Sequence, residues 1–111
     1  MHKLCNVDVL GTEYTVEEHE RKEDESLENA DGYCDHTLCK CVVRIIEPDK
    51  NSLGNLEVYK KKVIRHELIH AFLTESGLNC AAEWATNEEM VDWFAHQFPK
   101  LLKAFTQAGA I

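Results

Sequence analysis

The stretch Val63-Ile64-Arg65-His66-Glu67-Leu68-Ile69-His70-Ala71-Phe72-Leu73 decides how this chain is read. Its apolar residues (Val63, Ile64, Leu68, Ala71, Phe72, Leu73) recur at helical spacing, and Gly77 follows where a left-handed cap is wanted. The pattern predicts a long helix from about Leu53 to Ser76. Inside it, His66-Glu67-Leu68-Ile69-His70 is an H-E-x-x-H pentapeptide. Two histidines four apart are separated by about 400° of rotation, so they leave one face of the helix one turn apart. Both imidazoles can then meet one zinc ion, and Glu67 beside them is placed to take a proton from the activated water.

A catalytic zinc uses three protein ligands and keeps a fourth position for water. No third histidine follows Ala71 at the close spacing of a metzincin, so the third ligand has to come from further on. Asn87-Glu88-Glu89-Met90-Val91-Asp92 is the nearest supplier, at the start of a second predicted helix. Two glutamates compete there. Thr86 with Glu89 fits a capping box, which occupies Glu89 locally. Glu88 and Asp92 are four apart and share a face, so Glu88 is favoured as ligand, with Asp92 holding the far nitrogen of a ligating histidine. His96 lies one turn beyond Asp92 on nearly the same face and is a candidate transition-state stabiliser, as are Tyr33 and Tyr59. Met90, Val91, Phe94 and Ala95 supply the buried side of this helix, and Pro99 is expected to break or restart it.

Working back from the long helix, the first fifty residues read as β-structure. Leu4–Leu10 and Thr12–Val16 make a strand and its return around Gly11. Cys39, Cys41, Val43 and Ile45 alternate along a further strand, which Pro48 ends and Asp49-Lys50-Asn51-Ser52 turns. Between them, residues 17–32 hold seven acidic residues from Glu17 to Glu28 and almost nothing apolar, which predicts a solvated, mobile loop. The expected fold is therefore α+β, with three or four antiparallel strands packed on the H-E-x-x-H helix and the Glu88 helix closing the site. The Cys39–Ile46 strand would form the rim, where an extended peptide could add.

With 111 residues, the chain has room for one domain spanning 1–111, and 44% apolar content is enough for a core. A formal charge of −8 argues against nucleic acid as partner. No apolar run reaches the length of a membrane span, and no signal peptide opens the chain. Five cysteines cannot pair completely, which favours a reducing cytoplasm. Cys34, His36, Cys39 and Cys41 have the chemistry of a second zinc site, but their spacing is not that of a finger and core packing is the preferred reading. His2 and His19 sit in polar surroundings, and Lys60-Lys61-Lys62 reads as a solvated face.

His66-Glu67-Leu68-Ile69-His70 followed by Asn87-Glu88-Glu89-Met90-Val91-Asp92 resembles the gluzincin arrangement. Glu88 to Ala95 also resembles the E-x-x-A-N-x-F-A signature of the ImmA/IrrE-type metallopeptidases, with Val91 for Ala and Asp92 for Asn. Both alignments place the third ligand at Glu88. At this length the chain is similar to small zincin-like metallopeptidases of phages and prophages and to the minigluzincins. The resemblance implies a zinc-dependent endopeptidase acting on a protein or peptide substrate in a bacterial host cytoplasm, with His66, His70 and Glu88 on Zn2+ and Glu67 as catalytic base. The alternative is a non-catalytic zinc-binding phage or prophage protein acting as a protein-interaction module. Oligomeric state is left open by the sequence.

Overall fold

The computed structural model describes residues 2–47 and 54–111. β1 (His2–Val9) and β2 (Thr12–His19) form a hairpin whose turn, Leu10-Gly11, has φ of 53° and 93°. That left-handed pair matches the strand twist, and glycine carries the second position without strain. Asp8 closes the turn by accepting the Gly11 amide at 2.9 Å. β3 (Gly32–Asp35) and β4 (Lys40–Arg44) form a second antiparallel pair.

The strand order is β1-β2-β4-β3. The two hairpins join through β2 and β4, which run parallel from Thr15↔Lys40 to His19↔Arg44. The fold is α+β, but the sheet is mixed where an antiparallel one was expected. A second correction follows from the order. β4 is an interior strand with both edges paired, so it cannot be the rim; among the described residues the edge strands are β1 and β3, and β3 is the one beside β4.

Alternation gives the sheet two different faces. Val9, Tyr14 and Cys41 face inward and pack with Ala71 and Leu68 of α1 (Leu56–Glu75). Cys34 and Cys39 pack against this cluster, as core cysteines do. Cys39, however, is not on a strand face: its φ is 52° in the turn before β4. Gly32 sets the closest approach of sheet to helix. A Cβ there would lie 2.9 Å from both the Val42 carbonyl oxygen and Val63 Cγ1, and 3.2 Å from Glu67 Cγ.

The outer face carries what the sequence suggested was a loop. β2 continues through Glu17 and Glu18 to His19, and two short 3-10 turns, Arg21–Glu23 and Glu25–Leu27, fold back over the sheet. Leu27 is fully buried and His19 almost so. The segment is part of the fold rather than a solvated loop, because one leucine and one imidazole anchor it among the acidic residues.

α1 opens at an Asn55 cap whose side chain accepts the Val58 amide. It ends before Gly77, whose φ of 82° is the expected left-handed stop. β4 ends at Arg44, short of the expected Ile46, and α1 starts at Leu56 rather than about Leu53; Pro48, the expected Asp49–Ser52 turn and Leu53 themselves lie outside the described residues. After α2 (Leu78–Ala81) and a 3-10 turn at Glu83–Thr86, α3 runs Glu88–Gln107. Its cap is Asn87, which accepts the Met90 amide at 2.9 Å, not Thr86 as expected; the Thr86 hydroxyl donates to the Glu83 carbonyl instead.

α3 also passes through Pro99 without a break. Proline removes the amide that would have bonded the carbonyl four residues earlier. That carbonyl, Ala95 O, accepts Arg65 Nε at 2.7 Å, so α1 supplies the missing donor and ties the two helices together.

Candidate metal centre

The centre forms where α1 and the first turns of α3 face each other. His66 and His70 project from α1 with ring centroids 5.0 Å apart. Asn87 caps α3 so that Glu88 is its first residue, and the Glu88 carboxylate spans the two rings. One oxygen lies 2.9 Å from His66 Nε2 and the other 2.9 Å from His70 Nε2. Glu89, one residue on, lines an apolar hollow with Trp84, Met90 and Trp93.

One turn into α3, Asp92 takes up His66 Nδ1 at 3.0 Å and is itself held by Lys62 Nζ at 3.1 Å. Burial works against the Asp92 charge, but the Lys62 and His66 hydrogen bonds outweigh it and keep its carboxyl below the usual range. A His66 proton on Nδ1, donated to Asp92, leaves the Nε2 lone pair aimed at the Glu88 side. Burial pushes the His70 pKa down, which also favours a neutral ring with a lone pair to share. Two imidazole nitrogens and a carboxylate converge here, and only protons on the rings or one cation balance that convergence. The donor set of two nitrogens and one carboxylate oxygen suits zinc.

Glu67 is the other half of the arrangement. It is 7% exposed and makes no hydrogen bond or ion pair among the described residues. Burial raises its pKa to about 7; the charge of His66 lowers it and that of Glu88 adds to the rise. The ligand atoms of His66, Glu67 and His70 all lie within 4.8 Å of one another. Cys34, His36, Cys39 and Cys41 form no comparable convergence among the described residues.

A cavity of about 220 Å³ opens beside Glu67, lined by Asp31, Gly32, Tyr59, Lys62, His66 and Glu88 among others. Tyr59 donates to Asp31, which also receives Arg44 Nη2 at 2.7 Å. Burial, together with that bond to Asp31, pushes the Tyr59 hydroxyl up to about 12. His96 is exposed and lines a shallower hollow with His66, Glu88 and Asp92. Tyr33 lies elsewhere, on the outer sheet face, bonded to Asp24.

Two residues were missed by sequence reasoning. Lys62 looked like one of three solvated lysines; its spacing of four from His66 was the available signal. Asp31 had no local signal, since its partners are 13 and 28 residues away. No protein-family model matches the chain, and no curated protein or solved structure matches it significantly. Among the described residues, no helix is long and apolar enough to cross a membrane.

Proposed function

We propose that the protein is a zinc-dependent metallopeptidase of gluzincin type, working in a reducing cytoplasm on a protein or peptide substrate. One observation carries the reading: a single carboxylate, Glu88, reaches both imidazoles of the H-E-x-x-H helix at 2.9 Å, next to the buried side chain of Glu67. His66, His70 and Glu88 would hold the metal, and Asp92 would fix the His66 ring. When bound, zinc supplies the Lewis acidity that brings a water pKa to about 7 and polarises a carbonyl.

The chain's own residues do the rest. Glu67 accepts a proton from the attacking water on its carboxylate and returns it to the leaving amine. Its buried position supports that role, because a carboxyl raised to about 7 exchanges a proton readily near neutral pH. Among the described residues β3 has an unpaired edge, and it lies against α1 through Gly32, so an extended peptide adding to that edge would run past Glu67. Tyr59 and His96 border the hollows on either side and are the candidates for steadying the carbonyl oxygen.

The test is hydrolysis of a diverse peptide library by the zinc-loaded protein. Cleavage that chelation abolishes and added zinc restores is the expected result. A protein that holds zinc and cuts nothing would leave the non-catalytic interaction module in its place.

A further inference from the structure

Of the five cysteines, Cys5 and Cys80 are exposed, and Cys39 sits in the turn before β4 with its thiol on the His36 carbonyl. The other two face each other: Cys34 in β3 is the register partner of Cys41 in β4. The character of that pair follows from its neighbours. Just before β3, the Asp31 carbonyl accepts the Arg44 amide at 2.8 Å, which makes Asp31 and Arg44 a hydrogen-bonded pair. Pairs alternate along an antiparallel ladder, so Tyr33–Val42 and Asp35–Lys40 are hydrogen-bonded pairs and Cys34–Cys41 is not. At such a non-hydrogen-bonded pair facing Cα atoms lie about 4.5 Å apart, inside the span of about 4.4–6.8 Å that a disulfide bridges. Cys41 is fully buried with Val9, Tyr14 and Ala71, and Cys34 packs against that cluster from a half-buried position. The two thiols share a hydrogen bond that holds Cys34 below the ordinary thiol range against its own burial. The same bond, with burial, pushes Cys41 up, which makes Cys34 the thiolate of the pair.

We propose that Cys34 and Cys41 are a site of reversible oxidation, closed to a cross-strand disulfide by hydrogen peroxide and reopened by a small thiol such as glutathione. The Cys34 thiolate attacks one peroxide oxygen, the O–O bond breaks, and the other oxygen leaves as hydroxide, taking up the proton that Cys34 gave up. The Cys41 sulfur then displaces the oxygen from the Cys34 sulfenic acid, so that the S–S bond forms as water leaves. Two thiols and one hydrogen peroxide become one disulfide and two waters. Reopening consumes two glutathione thiols, which leave as glutathione disulfide. Six residues separate the two cysteines, and closing so short a loop constrains the unfolded chain little, which keeps the bond within reach of a thiol pool. In a reducing compartment the pair is the two free thiols of this structure. Among the described residues β4 is the one sheet partner of β3, so the closed bond fixes the edge strand that lies against α1 at Gly32.

The test treats the intact native protein with a small molar excess of hydrogen peroxide, caps the remaining thiols with N-ethylmaleimide and digests it unreduced with trypsin for mass spectrometry. Cleavage after Lys22, Lys40 and Arg44 should release residues 23–40 joined to residues 41–44, lighter by two hydrogens than the sum of the two thiol peptides. Residues 23–40 also carry Cys39, so Cys39→Ser should keep the joined pair, and Cys34→Ser, at the half-buried member, should lose it. In urea, where the strand register is gone, the yield of the joined pair should fall about tenfold. Glutathione should return both peptides as free thiols. Thiols that stay reduced, a Cys34 sulfinic acid without a bridge, a bridge from either cysteine to Cys39, or a bridge that glutathione leaves intact would each overturn the proposal, as would an equal yield in urea. The inference does not rest on the zinc reading, because His66, His70 and Glu88 take no part in it.

Discussion

His19 lies between Glu17 and Asp24, and His66 lies between Glu88 and Asp92, each ring nitrogen 2.7–3.0 Å from a carboxylate oxygen. The groups are the same, and the surroundings are not. Around His19 the side chains are closed off: the imidazole is 3% exposed, Glu17 16% and Asp24 12%. Tyr33 and the Ser26 amide take up Asp24 further, and Thr15 takes up Glu17. Around His66, Glu88 is 69% exposed, a second imidazole shares it, and buried Glu67 beside them has no partner among the described residues. A cluster whose polar atoms are all matched fixes the fold. One with an exposed carboxylate, spare lone pairs and an unmatched buried acid has capacity left for a ligand and a proton.

Substitutions should separate the two clusters cleanly. The largest effect is expected from Glu67→Gln, which should reduce peptide hydrolysis by about 10³-fold while zinc content and thermal stability are kept. A variant that loses its zinc instead would make Glu67 a ligand rather than a base. His19→Ala should do the reverse. Leaving two half-buried carboxylates without the imidazole that lies between them should cost about 3 kcal/mol in urea unfolding, with zinc affinity unchanged. A loss below about 1 kcal/mol would mean that the outer-face cluster is not what anchors the acidic segment.

A smaller effect belongs to Asp92→Ala, which should weaken zinc binding about 10- to 100-fold in a competition titration, because His66 loses the acceptor that orients it. Unchanged affinity would show that the His66–Asp92 contact is incidental to metal binding. The mildest expectation concerns pH. The His19 hydrogen bond holds Glu17 below the usual carboxylate range; burial opposes the Asp24 charge, but bonds from Tyr33, His19 and Ser26 outweigh it. Carboxylates with depressed folded-state pKa values stabilise the fold above their ordinary range and lose that contribution as the pH falls through the folded values. Stability should therefore decline as the pH drops below about 4.5, and His19→Ala should flatten the decline. An identical acid profile in the variant would contradict the link.

The parts of this molecule that were legible in its sequence are those governed by a local period. The helical repeat around His66 placed both imidazoles on one face, and the four-residue step from Glu88 to Asp92 brought them to the same wall. What was not legible depended on distant partners. Nothing local says that β2 and β4 run parallel, since each strand shows only its own alternation. Residues 17–32 looked like a solvated loop because charge dominates their composition, yet Leu27 and His19 are enough to pin them down. Glu17 and His19, two apart on one strand, shared a face all along. Thr86 and Asn87 are both good caps, and the choice between them fell to tertiary packing. Pro99 should have stopped α3, but Arg65, thirty residues before Ala95, gives the Ala95 carbonyl the donor that proline lacks.

The most direct measurement is the metal content of the untagged protein, compared between wild type, Glu88→Gln and Glu89→Gln. About one zinc per chain, lost in Glu88→Gln and kept in Glu89→Gln, is what a His66, His70 and Glu88 site requires. No zinc in the wild type even after reconstitution, or zinc that survives Glu88→Gln and leaves with Glu89→Gln, would contradict it.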